Sequence, residues 1–451
     1  MPQKSRISSF KSVIATAVVL GLGGQVQAFD LSTAAREALQ FDSAFRSAQK
    51  KAEADATRFG QGLGLLLPAA VATASRSRTD FDAESASLTD TKSVFGNTYT
   101  VSLTQPIFRI DRLALFNQER LRAKAGEANF TQARIDALLR VTQAYFDVLV
   151  AQDSMNSVEA ELKAIGQQLE SAKRAFEVGT ATVTDQQEAQ ARFDLATAKQ
   201  IATKNDLDVK RNTLAQLVGK PVPQRLTGLK ADVKIASPEP MEVDKWIEQA
   251  RTANLRVQAA TSAASIASSE LVRVTSADNL PSVDLVARKT RIDPYRAGGL
   301  PPYERADTDI VSVEVTMPLF NGGIAYHRTR EAMALKDKAQ FDLETERRAA
   351  EQLARNAFLG VLAGLSQVRA FEAAEKSSRL ALESNQLGYE VGVRINIDVL
   401  NAQQQLFTTQ RDLSKARYDT LFNSLRLKSA VGTLSEKDID EINSLLEKVS
   451  R

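Results

Sequence analysis

The sequence predicts a mainly α-helical chain with a transmembrane β-barrel portion, written as an internal tandem duplication. Three observations predict it. The chain matches itself at a nearly constant offset, two long proline-free runs carry a seven-residue apolar period, and short segments of alternating apolar and polar residues precede each run.

The N-terminus, MPQKSRISSFKSVIATAVVLGLGGQVQA, places Lys4, Arg6 and Lys11 before an apolar run from Val13 to Leu22 and ends in Val26, Gln27 and Ala28. That is the pattern of a secretory signal, so residues 1–28 are expected to be removed and the mature chain to begin at Phe29. The segment holds three of the 58 basic residues and no acidic one, which leaves 55 against 55 Asp plus Glu. A neutral chain offers no basic face for nucleic-acid phosphates.

The duplication organises the rest. LTQPIF at 103 to 108 matches VTMPLF at 315 to 320, an offset of 212. From there the offset is 213: Ala144 and Tyr145 fall on Ala357 and Phe358, FEVGT at 176 on YEVGV at 389, Asp185 on Asp398, and Val218-Gly219 on Val431-Gly432. We expect a first repeat over 29–235, a second over 236–433 and a C-terminal periplasmic tail over 434–451. Each repeat reads as a short helix, two strands, one very long helix, a tight turn and a second long helix.

Tyr99, Val101 and Leu103 alternate with polar residues, as do Val311, Val313, Val315 and Met317; Val283, Leu285 and Ala287 face opposite Asp284, Val286 and Arg288, and a fourth, weaker segment follows Pro68. Their length suits the roughly 9 to 11 residues of a tilted membrane-spanning strand. The connections at 80–93 and 293–307 are polar or rich in Gly and Pro and read as loops outside the membrane. Four strands cannot close a barrel, whose smallest examples have about eight, so a spanning reading requires two, three or four copies of the chain. A soluble four-stranded sheet on a helical stalk shares the same pattern. Phe95 and Tyr99 near a strand end suit an interfacial aromatic girdle.

Val141, Val148, Met155, Leu162, Leu169 and Phe176 are each seven apart, and Leu138, Tyr145, Val158, Ile165 and Ala172 fill the seam between them. A helix from about Ile110 to about Glu177 is on the order of 100 Å long. Such a rod does not fold back into a globule. Its partners continue the seam more weakly through Phe193, Leu207 and Leu214 and through Leu406, Leu413 and Leu427. Frequent Ala, Thr and Gln fit a wall of helices bordered by water better than a dry core.

Chemistry is scarce. No stretch after the signal has the roughly 18 to 20 uncharged apolar residues of a spanning helix. The chain has no cysteine and a single histidine, His327, which removes disulfides, thiol nucleophiles, paired-histidine metal sites and any partnered histidine triad. No enzyme, cofactor or metal is expected.

The duplicated halves, TQPIF and TMPLF before the long helices, FEVGTATVTDQQEAQARFD and YEVGVRINIDVLNAQ at the turns, and ARYDTLFNSLRLKSAVGTLSEKDI near the end resemble the TolC family of outer-membrane channel proteins. The resemblance spans essentially the whole mature chain. It implies a homotrimer: a 12-stranded β-barrel in outer-membrane lipid, continuing into a periplasmic α-helical coiled-coil tunnel. A girdle around the tunnel would come from the N-terminal helix, residues 220–250 and the C-terminal tail. It also implies partners, a periplasmic adaptor protein and an inner-membrane transporter, with the chain as the exit duct for proteins in type I secretion; a multidrug or toxic-compound efflux outlet is the alternative. A periplasmic coiled-coil scaffold without a pore is a further reading of the same periodicity.

By motif position, the resemblance gives gate links from Asp185 to Arg394 and from Thr184 to Tyr389. Asp398 would belong to a ring of three carboxylates in the lumen, a cation site. The next lumen position, usually a second carboxylate, is Asn401, which weakens the expected filter. Val178, Gly179 and Thr180, with Val391, Gly392 and Val393, would form the adaptor-docking tips, glycine permitting the reversal and a close backbone approach.

Overall fold

The computed structural model describes residues 29–85, 88–230, 233–293 and 304–447. The expected signal segment and most of the 293–307 connection lie outside these residues. The element order repeats: α1 Leu31–Phe41, α2 Ser43–Gly64, β1 Ala69–Ser85, β2 Leu88–Phe108, α3 Ile110–Glu177 and α4 Val183–Val218. The second series is α5 Val243–Ala253, α6 Leu255–Asn279, β3 Ser282–Asp293, β4 Ala306–Thr316, α7 Ile324–Glu390 and α8 Asn396–Ala430, followed by α9 Glu436–Ser444.

The single short helix expected at the start of each repeat is two helices, broken by a polar cap. Asp42 and Asn254 hold extended ψ values of 113° and 132°, and their side chains accept from Ala44 N–H and from Arg256 and Val257 N–H, starting α2 and α6. Asn254 also donates to the Ala430 carbonyl at 2.8 Å, so the cap ties α6 to the end of α8.

The strands form one antiparallel sheet in the order β1-β2-β3-β4, with β1 and β4 at open edges. The stretch 80–93, expected as an external loop, is largely strand: β1 and β2 stay in register out to the pair Ser85 and Leu88. Its polar composition misled because a hairpin rising into water needs no apolar face. On one face, Tyr99, Val101, Leu103, Leu285, Val311, Val313 and Val315 are exposed. On the other, Thr73, Thr100, Thr290 and Thr308 stand opposite one another in a single row. The apolar band gives way to ion pairs toward the hairpin ends, Lys289 with Asp309 beside Val101 and Arg291 with Asp307 beside Tyr99, and an exposed apolar band of this kind inverts the soluble half-buried sheet.

β2 runs into α3 through Arg109 alone, whose guanidinium bonds Asp284 of β3 at 2.9 Å and Asp111 of α3 at 3.2 Å. α3 then buries the expected seam, with Leu138, Val141, Tyr145, Val148, Val158, Ile165, Leu169 and Ala172 all enclosed. Only Phe176, at the far end, is 43% exposed. No helix among the described residues is long and apolar enough to cross a membrane.

The largest apolar cluster lies mid-shaft, where α1, the 222–229 segment and α9 pack on α3 and α8 through Leu31, Tyr145, Leu226, Tyr418 and Ile439. Leu229 and Leu446 pair as an isolated antiparallel bridge. Of the segments expected to form the girdle, the N-terminal helix, the C-terminal tail and the first part of 220–250 meet here, while α5, which begins at Val243, packs on α7 instead. Two carboxylates help fasten α9. Asp30 accepts from the Asn443 amide at 2.8 Å, and Asp438 from the Lys428 ammonium at 2.6 Å. Burial works against both charges, yet hydrogen bonds from Thr33 and Asn443 to Asp30, and from Lys428 and Ser435 to Asp438, hold both below the ordinary carboxylate range.

A lowered folded-state pKa gives stabilisation that is present above the unfolded value of about 4 and is lost as pH falls through the folded value. Acidification below about pH 4 is therefore expected to release α9 from the girdle. Hydrogen exchange checks it: amides of Glu436–Ser444 should lose protection well before those of α3, and parallel loss in both would contradict the assignment.

Candidate gate at the helical tips

Both hairpins reverse in the same way at the end of the shaft. Gly179 and Gly392 take φ of +77° and +80°, the left-handed region that favours glycine. In the first tip the N–H groups of Thr180 and Ala181 donate to the Ala175 carbonyl at 2.8 and 3.2 Å. In the second, Val393 and Arg394 donate to the Gly388 carbonyl at 2.9 and 3.1 Å.

The tips differ in how the next helix starts. Asp185 accepts from the N–H and hydroxyl of Thr182 at 2.9 and 2.7 Å, and its own N–H donates back to the Thr182 hydroxyl at 3.2 Å, a complete capping box. Ile395 occupies the matching position of the second tip and has no oxygen to offer. Asp398, the counterpart of Asp185, is thereby released from capping, and its carboxylate lies 3.6 Å from the Arg394 guanidinium.

Within one chain the tip therefore pairs Arg394 with Asp398. It does not bring Asp185 to Arg394, nor Thr184 to Tyr389. The reason is the order of the helices: α3 packs on α4 and α8, and α8 packs on α7, which leaves α4 and α7 at opposite edges. Asn401 accepts from Arg192 of α4 at 3.0 Å. Val178, Val391 and Val393 are 73%, 66% and 75% exposed, and a Cβ built on Gly179 or Gly392 meets nothing within 4 Å. The tips are apolar and open.

Above the turns runs a seam that sequence reasoning missed. Leu400 of α8 packs among Ile165, Leu169 and Ala172 of α3 and Ala189 and Ala196 of α4. Gln168 bonds Asn396, and Arg192 reaches Gln404 at 2.7 Å. Glu161 of α3, its side chain 6% exposed, is held at 3.0 Å by both Arg411 of α8 and Lys199 of α4. Nothing in the local sequence around Glu161 marks it as buried, because both of its partners lie on other helices.

The family model described as outer membrane efflux protein matches residues 34–220 and 246–433, once in each half of this chain. The chain belongs to the outer membrane efflux protein family. It is 30% identical over 352 residues to outer membrane protein TolC of Vibrio cholerae, covering 77% of this chain and 79% of that one. It is 27% identical over 438 residues to the proteases secretion protein PrtF of Dickeya chrysanthemi, covering 96% and 94%. Its fold matches the outer membrane protein VceC of Vibrio cholerae with a TM-score of 0.75 at 19% identity, covering 89% of this chain and 96% of that one. As a member of this family, the protein is an outer-membrane channel of the export and efflux class and not an enzyme.

In this efflux-family channel Arg394, in the turn before α8, and Arg411, within α8, have different work. Arg394 is 58% exposed beside Asp398, whereas Arg411 is 16% exposed against a buried Glu161. Removing one member of a buried pair costs about 3 to 5 kcal/mol, and an exposed pair is worth about 0 to 1 kcal/mol. Thermal unfolding should therefore show a large drop for Arg411→Ala and little change for Arg394→Ala. Equal drops would contradict the division between seam and surface charge.

Proposed function

We propose that this chain is one protomer of a homotrimeric duct in which three sheets of four strands close a 12-stranded barrel and three pairs of hairpins form the tunnel beneath it. The observation that carries this reading is the sheet with two open edges, an exposed apolar face and a row of threonines behind it. Open edges in lipid leave backbone groups unsatisfied, so the wall must close on copies of itself. The shaft has the matching property. Leu195 and Ile201 on α4, and Phe341 and Leu380 on α7, are 63%, 67%, 74% and 55% exposed on the two outer helices.

Ring closure sets α7 of one protomer beside α4 of the next. Asp185, whose second carboxylate oxygen is left over from capping, then faces Arg394, and Thr184 faces Tyr389. Each such link is worth about 0 to 1 kcal/mol, so no single copy locks the tunnel. Three copies sum to a few kcal/mol, enough to bias a two-state gate that a differential binder can still open. Asp398 repeats three times around the lumen as a cation site, and Asn401 supplies no second carboxylate ring.

The exposed valines flanking Gly179 and Gly392 suit docking by the tip of a periplasmic adaptor, which joins the duct to an inner-membrane transporter. The cargo class we propose is protein exported by type I secretion, supported by the near full-length match to a protease secretion protein. The two repeats, 29–235 and 236–433, then supply equivalent sixths of the wall.

Single-channel conductance in planar bilayers tests the gate. Arg394→Ala should conduct more than the parent channel, and an unchanged conductance would remove Arg394 from the gate. For docking, cysteine placed at Thr180 or Val393 should cross-link to the adaptor during active export; adducts only at cysteines placed far up the shaft would refute the tip assignment.

A further inference from the structure

We infer that Gly388 is a positioning residue for the gate, present because it gives the side chain of Arg394 its path across the end of α7. The inference rests on the reading of Arg394 as a gate residue. Gly388 lies inside the last turn of α7, where glycine is among the poorest helix formers. It is not among the glycines with positive φ, so its backbone conformation is open to any residue. It is also buried. What the position requires is space: a Cβ added there would stand 2.7 Å from Arg394 Cγ, 3.4 Å from Arg394 Cβ and 3.5 Å from Val393 Cγ2.

The other half of the duplication provides an internal control. Position 388 corresponds to 175, and 394 to 181, each 213 residues earlier; both earlier residues are alanine. The first tip makes the same turn with Ala175 accepting from Thr180 and Ala181 that the second makes with Gly388 accepting from Val393 and Arg394. The reversal itself therefore tolerates a methyl group at this site. The two halves differ where the side chains cross: arginine replaces one alanine and glycine the other. Because the Arg394 N–H is pinned to the Gly388 carbonyl, the arginine cannot avoid the crossing by moving its backbone. Its stem lies over Gly388, which directs the guanidinium toward Asp398 and, in the closed ring, toward the neighbouring tip.

The test uses the full-length trimer. Gly388→Ala favours the helix and reproduces the residue of the first tip, so assembly should be unaffected, as checked by the amount of trimer in the outer membrane. Its conductance should rise to the same multiple of the parent value as that of Arg394→Ala, and the double variant should rise no further, because the glycine acts only through the arginine. Tryptic cleavage after Arg394 reads the side chain independently of gating and should speed up in Gly388→Ala. If Arg394→Ala opens the channel while Gly388→Ala behaves as the parent, the positioning role is overturned and the gate stands. If the double variant exceeds either single one, Gly388 acts on its own and the inference is wrong. If Arg394→Ala changes nothing, the gate reading falls, and an unchanged tryptic rate in Gly388→Ala then removes the inference as well.

Discussion

A wall one helix thick has no interior, and that constraint shapes the whole molecule. The helices of the shaft are held by narrow seams along their length, so α3 needs its apolar residues in a seven-residue repeat, which runs from Leu138 to Phe176. The same constraint explains why Ala, Thr and Gln fill positions that a globular core would give to Leu. It also explains the girdle. Where α1, α9 and the 222–229 segment wrap the shaft, the helices gain a second layer, and there Tyr145, Phe146 and Tyr418 are buried.

Duplication solved the architecture once and then diverged at the ends. Backbone geometry at the two tips is nearly the same, while the side chains have been redistributed. Thr182 and Asp185 build a capping box in the first tip, and Ile395 frees Asp398 in the second. A structural carboxylate in one half is thus an available charge in the other. Glu161 provides the complementary element: a buried charge that fastens α3 to both α4 and α8 and so joins the two hairpins of one chain.

Much of this was legible in the residues. The bounds of α3 follow from the proline before it and the glycine after it, and its seam from the period. The weak alternation of β1 hid a 17-residue strand because its outward residues at 70, 72 and 74 are alanines, and its register is set by β2. The break between α1 and α2 was missed because Asp42 is a capping residue inside a continuous helical pattern. The α3–α8 seam was invisible for a different reason. Its partners, such as Glu161 and Arg411, lie 250 residues apart, and no local pattern announces a pairing between two hairpins.

The central claim is that open sheet edges and unpaired outer helices are closed by copies of the same chain. The mass of the detergent-extracted particle, measured with bound detergent accounted for, tests it most directly. The account predicts three chains in every particle, and a particle of a single chain that still conducts ions would contradict it.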